Sequence, residues 1–244
     1  DFNHHQFVRP ADAALKATTL AVELSIKYQR RLHILHMTTL DEVRYLEIQK
    51  AKGPISAEVC PQHFLLSAPF IYEKIGAYAQ MNPPIRNMEH GDALWQGLVD
   101  GVIDCIATDH APHTHEEKAK PFGQAPSGMP GVETSLPLML DRANRGMCKI
   151  EDVVKWMCEK PVELYKVKNK GAIKIGYDAD LVLVDMGKQK TIENGKLMTR
   201  VNWSPYDGWT TKGWPLTTIV NGNIVFHDGE IDDTIKGKEI QIGA

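Results

Sequence analysis

The sequence predicts an α/β protein in which short apolar strands alternate with amphipathic helices around a parallel sheet, followed by a smaller β-rich region. Three observations carry this reading. Up to about residue 170, runs at helical spacing alternate with short apolar runs ending in polar loops, as βα units do. Near Gly171 the segments become β-branched and alternating, divided by turns such as NGN and HDGE. With 244 residues, 43% of them hydrophobic, the chain can bury a core and hold one large domain with a smaller appendage. The expected boundaries are residues 1–170 and 171–244.

The first helix is ADAALKATTLAVELSIKY, Ala11 to Tyr28, rich in Ala, Leu and Glu with apolar residues at helical spacing. LHILHMTT reads as a strand. TLDEVRYLEIQKAKG then reads as a helix with Thr39 as N-cap, acids in its first turn and Gly53 as its stop. PISAEVCPQHFLL is the next expected strand, and AYAQMNPPIR is an extended run broken by Pro83 and Pro84. The helical EHGDALWQGLVDG leads into VIDCIATDHAPHTHEEK, where a buried strand delivers Asp109, His110, His113 and His115 into a polar loop. SLPLMLDRANRG and IEDVVKWMCEKPVELY are helical. ADLVLVDM and TTIVNGNIVF are strands of the β-rich region, in which Trp203, Trp209 and Trp214 are expected to pack.

Composition excludes several classes. Lys and Arg total 28 against 31 Asp and Glu, so no basic field attracts nucleic acid. No apolar run approaches the length of a membrane span, and DFNHHQFVRP lacks the regions of a signal peptide, so the chain reads as soluble and cytoplasmic. Cys60, Cys105, Cys148 and Cys158 show no C-x-x-C spacing, which argues against a disulfide framework or structural zinc knuckle. Serine-hydrolase, P-loop and dinucleotide motifs are missing. Because the chain opens on Asp1 and is soon helical, a segment is expected upstream.

In parallel sheets chemistry collects beyond the carboxyl ends of the strands. His36 and Asp109 each stand there. An imidazole and a carboxylate suit Zn²⁺, which acidifies a bound water; the alternative is an ordinary strand-end histidine, like His33, and a helix-capping acid. His113 is expected to face the mouth, with His110 and His115 solvated or behind it. Asn82 offers an amide to a polar substrate or closes an Asx-turn. In APSGMPG, Gly128 and Gly131 permit close backbone approach to a ligand, or form a plain loop. His4 and His5 are expected to be solvent-exposed.

Several motifs together resemble one family. IDCIATDHAPH resembles the strand-8 signature of class I dihydroorotases, within the cyclic amidohydrolase superfamily. HILHMTT, AEVCPQHFLL, MNPPIR and APSGMPGVETSLPLML follow in the family's order at similar spacing. GAIKIGYDADLVLVD is similar to the segment where amidohydrolases enter their small β-sandwich, and NWSPYDGW with TIVNGNIVF is similar to the dihydroorotase C-terminus. The resemblance covers essentially the whole chain. It implies the C-terminal part of a (β/α)8 TIM barrel followed by a β-sandwich segment, a binuclear Zn²⁺ site, and reversible interconversion of L-dihydroorotate and N-carbamoyl-L-aspartate in pyrimidine biosynthesis. It also implies roles: His36 as zinc ligand, Asp109 as zinc ligand and general acid and base, and Asn82, His113, Ser127 and Gly128 as substrate contacts. The position of His113 favours dihydroorotase over dihydropyrimidinases (hydantoinases) and allantoinases.

The sequence departs from the family by lacking the strand-1 H-x-H and the ligands of strands 4 and 5; its one H-x-H, His113-Thr114-His115, follows strand 8 instead. The zinc site is therefore expected to be incomplete in this chain. The leading expectation is the C-terminal portion of an active dihydroorotase, able to form a homodimer or to associate with aspartate transcarbamoylase. The alternatives are a non-catalytic scaffold for aspartate transcarbamoylase and an amidohydrolase acting on another cyclic amide. Half a barrel would leave two sheet edges open, so the chain alone is expected to aggregate, dimerise or order only in part.

Overall fold

The computed structural model describes residues 1–243, so Ala244, the last residue of the expected 171–244 region, lies outside them. The chain divides into two compact units, Asp1–Glu133 with Glu193–Asp207, and Thr134–Ile192 with the residues from Gly208 on.

The first unit is built on a parallel sheet of order β1-β2-β3, with β1 at Leu32–Ile34, β2 at Ile55–Val59 and β3 at Cys105–Ile106. Leu32 pairs with Ile55 and Ile34 with Ala57, while Glu58 pairs with Cys105 and Val59 with Ile106. Every residue of the central β2 is buried, including the polar Ser56 and Glu58. Helices α1 (Ala11–Tyr28), α2 (Leu40–Gln49), α3 (Pro61–Leu65), α4 (Met88–Val99) and α5 (His115–Lys118) belong to the same unit, together with shorter helical segments such as His5–Val8 and Phe70–Ile75.

The bounds of α1 are those the spacing predicts. Thr39 caps α2 in a reciprocal box, its hydroxyl taking the Glu42 N–H while the Glu42 carboxylate takes the Thr39 N–H. Gly97 lets α4 approach α2, since a Cβ there would lie 2.8 Å from Val43 Cγ1. Two expectations change. PISAEVCPQHFLL is a strand only to Val59, because Pro61 occupies the first turn of a helix that buries Gln62, His63 and Phe64. VIDCIAT reduces to the two residues of β3, and the Asp104 carboxylate takes the Ala57 N–H at 2.9 Å and Lys50 Nζ at 2.8 Å.

In the second unit, helix α6 runs from Val132 to Asn144, starting just before the unit boundary. The helical stretch Ile150–Tyr165 widens into a π turn at Lys155–Glu159, which ends two positions before Pro161, whose ring nitrogen has no proton to donate. Strands β4 (Leu181–Thr191), β5 (Thr210–Val220), β6 (Asn223–His227) and β7 (Glu230–Ile231) form an antiparallel sheet in that order. Asn221-Gly222 and Asp228-Gly229 close its tight hairpins with positive φ at both residues, the turn such dipeptides select. Among the described residues no helix is long and apolar enough to cross a membrane.

Candidate functional site

The carboxyl ends of β1 and β3 carry the first group of candidate residues. His36, two residues past β1, has φ of 35°, and Asp109, three past β3, has φ of 45°; both are partly buried. Side chains other than glycine rarely adopt this left-handed backbone, and where they do the surroundings hold them there, often at functional sites. Those surroundings are explicit. Past His36, the Met37 N–H donates to the Glu58 carbonyl at 2.9 Å, and the buried Glu42 carboxylate takes the Thr38 and Thr39 N–H groups and both the Thr18 and Thr39 hydroxyls. Arg86 Nε donates to Thr38 Oγ1 at 3.3 Å, and its Nη1 donates to the Arg9 carbonyl at 3.1 Å. Around Asp109, Gln62 Nε2 donates to the Thr108 carbonyl at 2.9 Å, and the Ala111 N–H donates to the Met129 carbonyl at 3.1 Å.

Below this level the sheet holds a polar layer. His33 Nε2 lies 3.0 Å from Glu58 Oε2, His33 Nδ1 lies 2.8 Å from Ser56 Oγ, and Cys105 completes a trio whose donor atoms all fall within 4.8 Å of one another. Beside His36 sits His63, which sequence reading passed over. It is buried, neither ring nitrogen has a hydrogen-bond partner among the described residues, and burial, with the charges of His36 and Arg86, holds its pKa down at about 3.

The second group is formed by loops that meet. The Gly128 N–H donates to the Gln80 carbonyl at 2.9 Å, and Gln80 Nε2 reaches the Ala125 carbonyl at 2.7 Å and Ser127 Oγ at 3.2 Å. His113 Nε2 lies 3.2 Å from the Ser127 carbonyl, and Trp203 Nε1 donates to the His113 carbonyl at 2.8 Å. Gly128 has φ of 139°, and a Cβ on it would stand 2.5 Å from the Ala111 carbonyl oxygen, so this position accepts no side chain. Asn82 is exposed, two residues past Gln80. His113, Ser127, Gly128 and the Gln80–Asn82 segment are thus joined by hydrogen bonds.

Some expectations are corrected. His5 is buried, with its Nε2 2.8 Å from the Met81 carbonyl and its ring edge-on to Tyr72 and Phe122. His110 and His115 are exposed, in keeping with the expectation that they are solvated; His110 Nδ1 accepts the N–H groups of Gly131 and Val132 at the start of α6, and His115 Nδ1 meets the Tyr78 hydroxyl at 2.7 Å. Trp203 belongs to the first unit, where it packs against Tyr78.

An α/β chain with ionisable residues at the carboxyl ends of parallel strands defines a broad class of enzymes. The match to the amidohydrolase family model over residues 28–225 places this chain in that family. The dihydroorotase of Anoxybacillus flavithermus is 40% identical over 199 residues, covering 81% of this chain and 46% of that protein. The dihydroorotase of Pyrococcus horikoshii is 40% identical over 233 residues, covering 95% and 53%. Among solved structures, the L-hydantoinase (dihydropyrimidinase) of Arthrobacter aurescens superposes with a TM-score of 0.85 at 32% identity, covering 91% of this chain and 50% of that one. The dihydropyrimidinase of Brevibacillus agri gives 0.90 at 25% identity, covering 95% and 52%. The chain spans about half the length of the curated relatives it matches.

Members of this family generally use metal ions. The nitrogen of His36 and carboxylate of Asp109 fit such an ion chemically, but they are two donors where a catalytic zinc takes three from protein. Among the described residues the sole trio with metal-ligand spacing is His33, Glu58 and Cys105.

Proposed function

We propose that this chain is the C-terminal portion of a dihydroorotase, hydrolysing L-dihydroorotate to N-carbamoyl-L-aspartate and reversing that reaction in pyrimidine biosynthesis. The observation that carries the reading is the pair of left-handed residues, His36 and Asp109, at the carboxyl ends of two strands of one parallel sheet. In this reading residues 1–170 are the C-terminal half of a (β/α)8 barrel and residues 171–244 a small β-rich domain.

His36 and Asp109 would hold zinc with ligands supplied from outside the described residues; bound there, the ion would provide an acidified water. The chain's own residues do the rest. Asp109 takes a proton from the attacking water and returns it to the ring nitrogen as the amide C–N bond breaks. His113, whose Nδ1 lies 3.5 Å from the Glu117 carboxylate, binds the substrate carboxylate, and Asn82 with the backbone at Ser127 and Gly128 holds the ring. The reading extends to a cytoplasmic enzyme that forms a homodimer or associates with aspartate transcarbamoylase.

A second reading keeps the chemistry and changes the ring, since the solved structures named above are a hydantoinase and a dihydropyrimidinase. Comparing kcat/KM of the complete protein on dihydroorotate and on unsubstituted hydantoin separates the two. Dihydroorotate is expected to be preferred at least tenfold; preference for hydantoin would transfer the chain to the second reading.

A further inference from the structure

A fully buried lysine lies at the centre of the loop group. Lys118, at the end of α5, is 1% exposed, and its Nζ donates to the carbonyls of Ala77 at 3.2 Å, Gln80 at 3.0 Å and Pro126 at 2.9 Å. An ammonium has three N–H donors and no acceptor, so these carbonyls use its whole capacity. The Trp203 ring lies 5.8 Å from the same nitrogen. We propose that Lys118 is a positioning residue for substrate: its ammonium ties the Ala77–Gln80 turn to the Pro126 loop and so sets Asn82, Ser127 and Gly128 against His113. This rests on the dihydroorotase reading for the identity of the substrate.

Two features favour this role over simple packing. Lysines are almost never fully buried, and among the described residues no carboxylate bonds this one; the neighbouring Glu117 carboxylate is engaged with Thr114 and His113. Burial holds the Lys118 pKa down at about 8, so the charge is there at a cost to the fold. What it gains is geometric, because the Gln80 carbonyl that accepts from Lys118 also accepts from Gly128, and the Pro126 carbonyl adjoins Ser127.

In the complete protein, Lys118→Met is expected to raise KM for dihydroorotate at least tenfold with kcat changed less than threefold, since the loops bind substrate while Asp109 moves the proton. Lys118→Arg is expected not to restore KM, because a planar guanidinium cannot aim three donors as an ammonium does. Ethylammonium added to Lys118→Ala is expected to recover part of the loss. An unchanged KM, or a fall in kcat alone, overturns the proposal.

Should the variants fail to fold, exchange in the wild-type chain decides. Protection of the Gly128 N–H is expected to weaken between pH 7 and pH 9 while that of Ala57 in β2 holds, and equal behaviour of the two amides overturns the proposal. The titratable groups around Lys118 are Glu117, His5 and Tyr78; hydrogen bonding holds Glu117, and burial holds His5, below its ordinary range, so neither changes charge in that window. A complete protein that turns over no dihydroorotate removes the functional reading and leaves the exchange result to judge the tie on its own.

Discussion

His36 and Asp109 occupy matching places in one sheet, just past the carboxyl ends of its outer strands β1 and β3, and both have left-handed backbone, with φ of 35° and 45°. Neither conformation comes without cost, roughly 1–3 kcal/mol for such a residue. Hydrogen bonds hold the loop after His36 and the backbone on both sides of Asp109, and those bonds make the site testable by parts.

The Glu42 carboxylate supports the loop after His36 through four donors from Thr18, Thr38 and Thr39. Glu42→Ala removes the capping box and strands buried N–H groups, so denaturant unfolding is expected to show a loss of about 2–4 kcal/mol. A loss under about 0.5 kcal/mol would mean that the loop is held by other contacts.

Gly128 stands where a side chain would meet the Ala111 carbonyl at 2.5 Å. Gly128→Ala is expected to raise KM for dihydroorotate more than tenfold, because the loop must shift away from His113. An unaltered KM would show that this loop does not touch substrate.

His63 gives a pH signature. Its ordinary value is 6.5 and burial brings it to about 3 in the folded chain. Above pH 6.5 the ring is neutral in both states and contributes nothing. As pH falls from 6.5 toward 3 the unfolded chain takes up a proton that the folded chain refuses, so stability drops by about 1.4 kcal/mol per pH unit from this group. His63→Phe is expected to remove that part of the acid slope between pH 6 and pH 4; coincident slopes for variant and wild type would show that His63 is protonated in the fold.

His36→Ala in the complete protein is expected to lower zinc affinity by about 10-fold or more, measured by competition with a chromophoric chelator. Affinity equal to wild type would remove His36 from the ligand set.

Local features were legible in the sequence and tertiary ones were not. The ends of α1, the Thr39 cap and the Asn221-Gly222 hairpin depend on neighbours in sequence, and spacing alone predicts them. The apolar reading of HFLL missed that Pro61 starts a helix. His5, His63 and Lys118 are buried by residues far along the chain, such as Met81 against His5 and Ala77 against Lys118, and no local pattern marks a polar side chain for burial. His36 and Asp109 were named from their places at strand ends, while their shared backbone conformation became visible only in three dimensions.

The central claim is that Asp109 moves the proton in dihydroorotate hydrolysis. It is tested most directly by the rate of ring opening in the complete protein, wild type against Asp109→Asn, a change that keeps a residue tolerant of left-handed backbone. The account predicts measurable turnover by the wild type and a fall of about 10²-fold or more in kcat for the variant. Turnover by the variant within a few-fold of wild type, or none by the wild type, would contradict it.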